Sequence, residues 1–282
     1  MSERAHPIRY AARVEYDGTD FAGFQVQPGA RTVQGELEAA LTKISGGSPV
    51  RVVAAGRTDA GVHASGQVIA FTDPRSRPAK ELARALDALL PEDVAIRNLR
   101  RVPAGFNPRY AARYREYRYT VWNGPRSPLR ERHALGVRDL LDIAAMERAG
   151  SVLVGRHDFS AFGAAHRQPV RTVYSVRVRR EGSLVTIDVK ADAFLRQMVR
   201  RIVAALLEVG HGETTEEAVA EALASRRPAF NGATAPAKGL CLRRVALGPM
   251  RARMAPARRR QSGDRPPDRT ENDDDREDIY GS

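Results

Sequence analysis

The chain has 282 residues and 42% apolar content, enough for one large domain or two of ordinary size around a hydrophobic core. Its formal net charge is +12, and residues 251 to 282 add nothing to this excess because their eight arginines balance eight acidic residues. The excess therefore lies on residues 1 to 250, and a globular body this basic predicts a polyanionic partner, most commonly nucleic acid.

The same composition excludes several classes of site. Cys241 is the one cysteine, which rules out an intrachain disulfide and a zinc site made of several cysteines. The six histidines lack metal-ligand spacing, so we expect no metal, and no glycine-rich loop that could cradle a phosphate occurs. No apolar run approaches the roughly 18 residues that span a bilayer, and the N-terminus lacks the apolar segment of a secretory signal. We therefore expect a cytoplasmic protein with no membrane partner.

The first hundred residues alternate between patterns typical of strands and of helices. Predicted strands cover residues 8 to 16, 50 to 55, 66 to 72 and 93 to 99. Predicted helices cover residues 32 to 45, which Thr32 can cap, and 78 to 90, which begin at Pro78 and stop at Pro91. The order of these elements is β-α-β-β-α-β.

The second half repeats this order. Predicted strands cover residues 113 to 122, 171 to 180, 183 to 190 and 239 to 246. Predicted helices cover residues 138 to 154, 194 to 209 and 215 to 225, and Thr214 with Glu217 matches a capping box for the last one. Two such units predict an α+β fold of two tandem ferredoxin-like (RRM-like) halves, which form one extended, mostly antiparallel sheet with helices on one face.

These patterns divide the chain into three parts. Residues 1 to 103 form the first α/β half and residues 104 to 250 the second. Residues 251 to 282 are charged and almost without apolar side chains, so we predict a disordered tail.

The connection between the second and third predicted strands carries the candidate chemistry. It contains Arg57, Asp59 and His63 between glycines, and it is about twice as long as an ordinary hairpin loop. One interpretation of Asp59 is a turn former bonded to its own loop. The other is a carboxylate held rigidly at the edge of a sheet and kept ionised by Arg57.

This loop resembles the aspartate signature of the TruA family of tRNA pseudouridine synthases. The similarity lies in "GRTDAGVHASGQV" and in five further segments that occur in the family's order. They are "EYDGTDFAGFQVQPGARTVQGELEAAL", "FNPRYAARYREYRYTVWN", "GRHDFSAF", "DAFLRQMVRRIVAALLEVG" and "GATAPAKGLCLRRV". The resemblance covers about residues 8 to 248.

The resemblance implies an isomerase that converts uridine to pseudouridine at positions 38 to 40 of the tRNA anticodon stem-loop, as a homodimer without cofactor or metal. Asp59 falls on the family's catalytic nucleophile, Tyr117 on its active-site tyrosine, and Arg200 on the arginine that pairs with the aspartate. Whether the aspartate attacks the ribose or the base stays open. A carboxylate suits either the capture or the stabilisation of an oxocarbenium-like sugar.

The same motifs imply contacts with RNA for five further residues. They are Arg57, Arg109, Phe24, Gln25 and His63, and the alternatives are solvated arginines and a phenylalanine of the core. Arg57 and His63 would orient the surroundings of Asp59, and Arg109 would help to open the stem, as base-flipping enzymes must. Asn107 and Pro108 depart from the family pattern, which often has a histidine there, so the contact geometry of Arg109 is left open.

Several alternatives remain at this stage. Tyr117 and Tyr119 share one face of a strand, so spacing does not choose between them. A helical wheel places Arg200 and Arg196 near the border of the apolar arc, where both could face solvent. Two other functions also fit the residues: the same chemistry on another RNA, and an RNA-binding module without activity.

Overall fold

The computed structural model describes residues 6–227 and 233–248. The predicted disordered tail, residues 251 to 282, lies outside the described residues. Within the part described, every helix is too short or too polar to cross a membrane.

The strands of the described residues form one continuous sheet, and together with the helices they confirm the predicted α+β fold. Its strands are β1 (Ile8–Tyr16), β2 (Val53–Ala54), β3 (His63–Asp73), β4 (Val94–Arg101), β5 (Ala112–Asn123), β6 (Leu135–Val137), β7 (Gly155–Asp158), β8 (Val170–Glu181), β9 (Leu184–Ala191) and β10 (Leu240–Leu247). They lie in the order β4-β1-β3-β10-β5-β9-β8-β7, with β2 beside β3 and β6 beside β5. All pairings are antiparallel except β10 with β3 and β5 with β6.

The strand order contains two copies of the arrangement typical of a ferredoxin-like unit. Strands β4-β1-β3-β2 form the first copy and β10-β5-β9-β8 form the second. The last strand of the chain joins the copies, because Cys241 and Leu242 of β10 pair in parallel with His63 and Ala64 of β3. The residues that end the second half therefore lie beside the residues that follow the Asp59 loop.

The longer helices pack on one face of this sheet. They are α1 (Val33–Ile44), α2 (Ala79–Leu89), α4 (Ile143–Val152), α5 (Met198–Gly210) and α6 (Glu216–Ser225), while α3 (Pro108–Ala111) is a single turn. Their apolar side chains join those of the strands in one core that includes Leu37, Phe71 and Tyr119, each fully buried. Burying a side chain of this kind contributes about 1.5–3 kcal/mol, so this core carries most of the favourable free energy of folding.

The second predicted strand is much shorter in the structure, for a physical reason. Only Val53 and Ala54 join the ladder with β3. The backbone N–H of Val52 instead donates to Oε1 of Glu38, which lies on α1, at 2.9 Å. Strand β3 in turn begins at His63, three residues before the predicted start, because β10 supplies a partner for its first residues. The loop around Asp59 is therefore shorter than predicted.

Helices α4, α5 and α6 begin later than predicted, and α1 and α2 each begin one residue after the predicted start. The side chain of Asn123 binds the backbone around residues 137 to 141 and keeps it from the helix, which starts after Asp142 caps it. Helix α5 starts after Gln197, whose backbone is left-handed with φ of 63°. Helix α6 is capped by Thr215, not Thr214, so the predicted capping box is off by one residue. The short elements α3, β6 and β7 were not predicted.

Candidate active site

The loop that carries Asp59 is held in place by hydrogen bonds to the end of β1 and to the segment that follows this strand. Thr58 is buried, and its hydroxyl shares a 2.8 Å hydrogen bond with the hydroxyl of Tyr16. Its carbonyl accepts a bond from the N–H of Phe24, and Gly61 donates to the carbonyl of Phe21. These bonds hold both sides of Asp59, so its carboxylate projects from a fixed backbone.

Two glycines make this close packing possible. Gly23 has a φ of +102°, and a Cβ on it would come within 2.9 Å of the Thr58 carbonyl oxygen. Gly61 has a φ of +74°, in the left-handed region that side chains other than glycine rarely adopt. Gly23 and Gly61 therefore allow the two backbone segments to pack closely against each other.

Arg200 lies opposite Asp59 across the boundary between the two halves. Its Nη1 is 3.9 Å from Oδ2 of Asp59, and the two side chains are 17% and 33% exposed. The rest of the guanidinium is held in place, since Nε donates to the Ala235 carbonyl at 2.7 Å and Nη2 donates to the Thr234 hydroxyl at 3.1 Å. The structure thus brings together two residues that are far apart in sequence and leaves the carboxylate accessible from one side.

Tyr117 completes this cluster, and its surroundings differ from those of Tyr119. The Tyr119 hydroxyl donates to the Pro236 carbonyl at 2.9 Å. The Tyr117 hydroxyl forms no hydrogen bond with any described residue, and its ring meets Phe194 edge-on at 5.2 Å. Burial raises the pKa of Tyr117 and the Asp59 charge adds to this rise, although Arg115 opposes it. The phenol is therefore protonated at neutral pH and free to bond a substrate.

Arg115 is a residue of this region that the sequence did not single out. Its guanidinium donates to the carbonyls of Ala55, Asp192 and Arg109, which ties the start of the Asp59 loop to β9 and α3. Burial lowers the pKa of Arg115. The available signal was the alternation in β5, which places this cation on the core-facing side together with Tyr117.

His63 occupies a different place from the one expected. It is 6% exposed, and its Nε2 lies 3.1 Å from the carbonyl oxygens of both Arg132 and Lys238. Carbonyls only accept, so Nε2 carries the proton, and Nδ1 accepts a bond from the N–H of Gly18 at 3.0 Å. The ring therefore joins the start of β3 to two other segments, and its contact with RNA stays a prediction.

The titration of His63 predicts how stability depends on pH. Burial lowers the pKa of His63. The neighbouring His133 lowers this pKa further, whereas the Asp17 carboxylate raises it. The Arg132 guanidinium also lies beside Asp17. A lowered pKa in the folded state means that the stabilisation is complete above the unfolded value of about 6.5 and is lost as the pH falls through the folded value.

We therefore expect the free energy of unfolding to fall as the pH is lowered from 7 to values below the unfolded pKa of about 6.5. His63→Gln should be about 1–2 kcal/mol less stable at pH 7 and should lose less on acidification, since it does not titrate there. Urea unfolding of both proteins at several pH values measures this. Parallel losses in the two proteins would contradict it.

Asp17, His63 and His133 form a group of the kind that can hold a metal ion. One possible ligand atom from each lies within 4.8 Å of the others. Protein donors already occupy the inward side, however, because Gly18 N–H bonds Nδ1 of His63 and the Arg132 guanidinium lies 3.8 Å from Asp17. The residues fit a hydrogen-bonded junction better than a metal centre, and the absence of a metal stays a prediction.

The other predicted contacts divide into exposed and buried side chains. Phe24 is 2% exposed and its ring packs near Tyr16, so it supports the loop from within the core, as the alternative for this residue has it. Gln25, Arg57 and Arg109 are exposed around the cluster. Asn107 caps the turn that carries Arg109 by accepting a bond from its N–H at 3.0 Å.

Comparison with known proteins connects this arrangement to a family. A sequence model described as tRNA pseudouridine synthase matches residues 12–111 and 149–246. The tRNA pseudouridine synthase A of Halalkalibacterium halodurans is 45% identical over 236 residues, which are 82% of this chain and 90% of that protein. The protein of the same name from Geobacter sulfurreducens is 44% identical over 236 residues, 82% of this chain and 96% of that protein.

A solved structure, that of the archaeal box H/ACA sRNP Nop10-Cbf5 complex, aligns at a TM-score of 0.28 and 14% identity. The alignment covers 70% of this chain and 43% of that chain. Fold and site define an α+β protein with a carboxylate, an arginine and a tyrosine gathered where two ferredoxin-like halves meet. The chain belongs to the tRNA pseudouridine synthase family.

Proposed function

We propose that this protein isomerises uridine to pseudouridine in the tRNA anticodon stem-loop, at positions 38, 39 and 40. The observation that carries the proposal is the cluster of Asp59, Arg200 and Tyr117 in a chain of this family. The carboxylate lies 3.9 Å from the guanidinium and keeps one accessible side, where a nucleoside can approach it.

The reaction balances without an outside reactant. The bond between N1 of uracil and C1′ of ribose breaks, the base turns, and a bond forms between C5 and C1′. The proton on C5 leaves and N1 takes one up, so nothing is oxidised or reduced. Asp59 captures or stabilises the electron-poor sugar centre, or adds to the base.

Arg200 and Tyr117 support this step in different ways. Arg200 orients the Asp59 carboxylate, because its own position is set by Ala235 and Thr234. Tyr117 offers a ring on which uracil can stack and a protonated hydroxyl for proton transfer.

RNA binding rests on the surface around the cluster. Arg57, Arg109 and Gln25 are exposed there and would contact the stem-loop once the target nucleotide leaves the stack. The net charge of +12 supports binding that weakens steeply with salt. We further propose that the protein acts in the cytoplasm as a homodimer, on the basis of the family resemblance.

Tritium release tests the proposal. Unmodified tRNA that carries 5-tritiated uridine is incubated with the protein in the absence of added cofactor or metal. Release to water is expected, because C5 exchanges its hydrogen for the bond to C1′. If tRNA binds and no tritium appears, while another RNA with the same label releases it, the substrate assignment is wrong. If no RNA releases tritium, the protein is a binding module.

Exchange of Arg200 for lysine tests the pairing with Asp59. Arg200→Lys keeps the charge and loses the fixed geometry, so we expect tritium release to slow about 10- to 100-fold. The two lost hydrogen bonds should cost about 1–2 kcal/mol of unfolding free energy. Arg196→Lys is the matched control, since Arg196 is exposed nearby. Equal rates for the two variants would remove Arg200 from the site.

A further inference from the structure

A second concave, basic site lies beside the candidate active site. It has a volume of about 190 Å³ and occupies the space between the end of β5, the segment before β6, and the 3₁₀ turn Ala237–Gly239. We define it as the Trp122 pocket by the side chains on which its chemistry depends. They are Trp122, Arg126, Arg130, Glu131, Arg138 and Lys238.

The charges of the Trp122 pocket favour an anion. Four cationic side chains face a single carboxylate, Glu131, which forms an ion pair with Lys238. Arg126 lies close enough to lower the pKa of Glu131 further, after the larger effect of Lys238. Arg138 has neither a carboxylate nor a carbonyl partner among residues 6–227 and 233–248. Its guanidinium is therefore available for a ligand.

The aromatic side chain of the pocket is already oriented. The indole N–H of Trp122 donates to the Pro125 carbonyl at 2.7 Å, and the Arg130 guanidinium lies over the ring, 5.5 Å from its centroid. The ring therefore has no donor left for a ligand, and it offers a flat surface beside cations. Aromatic surfaces next to arginine are typical of sites that follow a nucleic acid backbone.

The size of the pocket narrows the class of ligand. A volume of about 190 Å³ is smaller than the roughly 300–1,000 Å³ of sites for free small molecules. One phosphodiester group with part of its ribose fits, and such a group belongs to a chain that continues outside the pocket. The cations and the volume together point to a single backbone phosphate of RNA.

The pocket is joined to Asp59 by a short, bonded segment. The Ala235 carbonyl accepts from Arg200, and the Lys238 carbonyl accepts from His63. A Cβ on Gly61 would lie 3.1 Å from the Ala237 methyl, so this segment packs on the Asp59 loop. Only Pro236 and Ala237 lie between Ala235 and Lys238, so their Cα atoms are at most about 11 Å apart.

We propose that the Trp122 pocket binds a phosphodiester of the RNA strand near the nucleotide that enters the Asp59 site. This deepens the proposed function and rests on it. Arg126 and Arg138 supply the donors, and Trp122 packs against the sugar. His63 fixes the position of the pocket relative to the Asp59 loop.

Trp122 is the one tryptophan of the chain, so its fluorescence reports the pocket directly. Unmodified tRNA is titrated into Asp59→Asn protein while Trp emission and filter binding are both followed. We expect a saturable change of emission with the same midpoint as filter binding. Inorganic phosphate should cause no saturation at comparable concentrations. Unchanged emission at saturating tRNA, or saturation by inorganic phosphate alone, would overturn the proposal.

Removing the donors measures how much the pocket contributes to tRNA binding. Arg126→Ala with Arg138→Ala should weaken tRNA binding about tenfold and lower the slope of log affinity against log salt by about 1–2. Arg84→Ala is the control, because Arg84 is an exposed arginine of α2, which packs beside the edge strand β4. Arg138→Lys keeps the charge and should bind nearly as the parent does. A double variant that binds as tightly as Arg84→Ala would refute the pocket.

Wild-type tritium release, measured in parallel, separates this inference from the proposed function. If the wild type releases tritium and the pocket variants bind tRNA as tightly as the wild type, only the pocket proposal is wrong. If the pocket variants bind tRNA more weakly and the wild type releases no tritium, the proposed reaction is wrong and the pocket proposal is retained.

Discussion

Replacement of Asp59 by asparagine is expected to slow tritium release from tRNA by at least about a thousandfold while tRNA binding is retained. The two side chains have the same shape, so the loop held by Thr58 and Gly61 should not change. Only the negative charge and the nucleophilic oxygen are lost. Arg200 keeps its bonds to Ala235 and Thr234, which limits the loss of stability.

The control for this variant is Asp87→Asn, because Asp87 is an exposed carboxylate on α2. Single-turnover release, the dissociation constant for tRNA and thermal unfolding are measured on all three proteins. If Asp59→Asn keeps release within about tenfold of wild type, the carboxylate takes no part in bond breaking. If the variant also keeps the full biological effect, the protein acts by binding RNA.

Local chemistry made most elements of the fold predictable. Thr32 caps α1 through the Gly35 N–H, as its position before an apolar stripe indicates. Pro78 precedes α2 because a proline is tolerated where no intrahelical N–H is needed. Repetition of β-α-β-β-α-β then predicts the two halves, and the strand order contains this arrangement twice.

Three of the misplaced boundaries, in β2, β3 and α4, share one cause, which is a partner distant in sequence. Glu38 takes the N–H that a longer β2 would have used, and Asn123 holds residues that helical periodicity assigned to α4. Strand β10 lengthens β3 from the other end of the chain. Periodicity describes a segment and its burial, and it contains no information about which side chain satisfies a given backbone group.

The same limit applies to the site. The spacing of glycines around Asp59 indicated a special loop, and resemblance supplied Arg200 and Tyr117. Arg115 was missed because its three acceptors are carbonyls of unrelated segments, which no motif records. His63 belongs to the motif, yet its partners are the carbonyls of Arg132 and Lys238, and no motif records that the ring joins these segments.

Exchange of Tyr117 for phenylalanine is expected to lower kcat for tritium release about 10²- to 10⁴-fold, with KM little changed. The phenyl ring still stacks on a base, so binding remains, and the group available for proton transfer is lost. Stability should be unaffected, since the Tyr117 hydroxyl bonds no described residue and Phe194 contacts only the ring.

Tyr119→Phe provides the opposite pattern on the same strand face. It loses the bond to the Pro236 carbonyl, which should cost about 1 kcal/mol of unfolding free energy, while kcat stays within about tenfold of wild type. Steady-state kinetics and urea unfolding of the two variants decide the assignment that spacing left open. If Tyr119→Phe loses activity and Tyr117→Phe keeps it, the phenol of Tyr117 has no role in proton transfer. The bond between Tyr119 and Pro236 would then matter for activity because it positions Arg200 through Ala235.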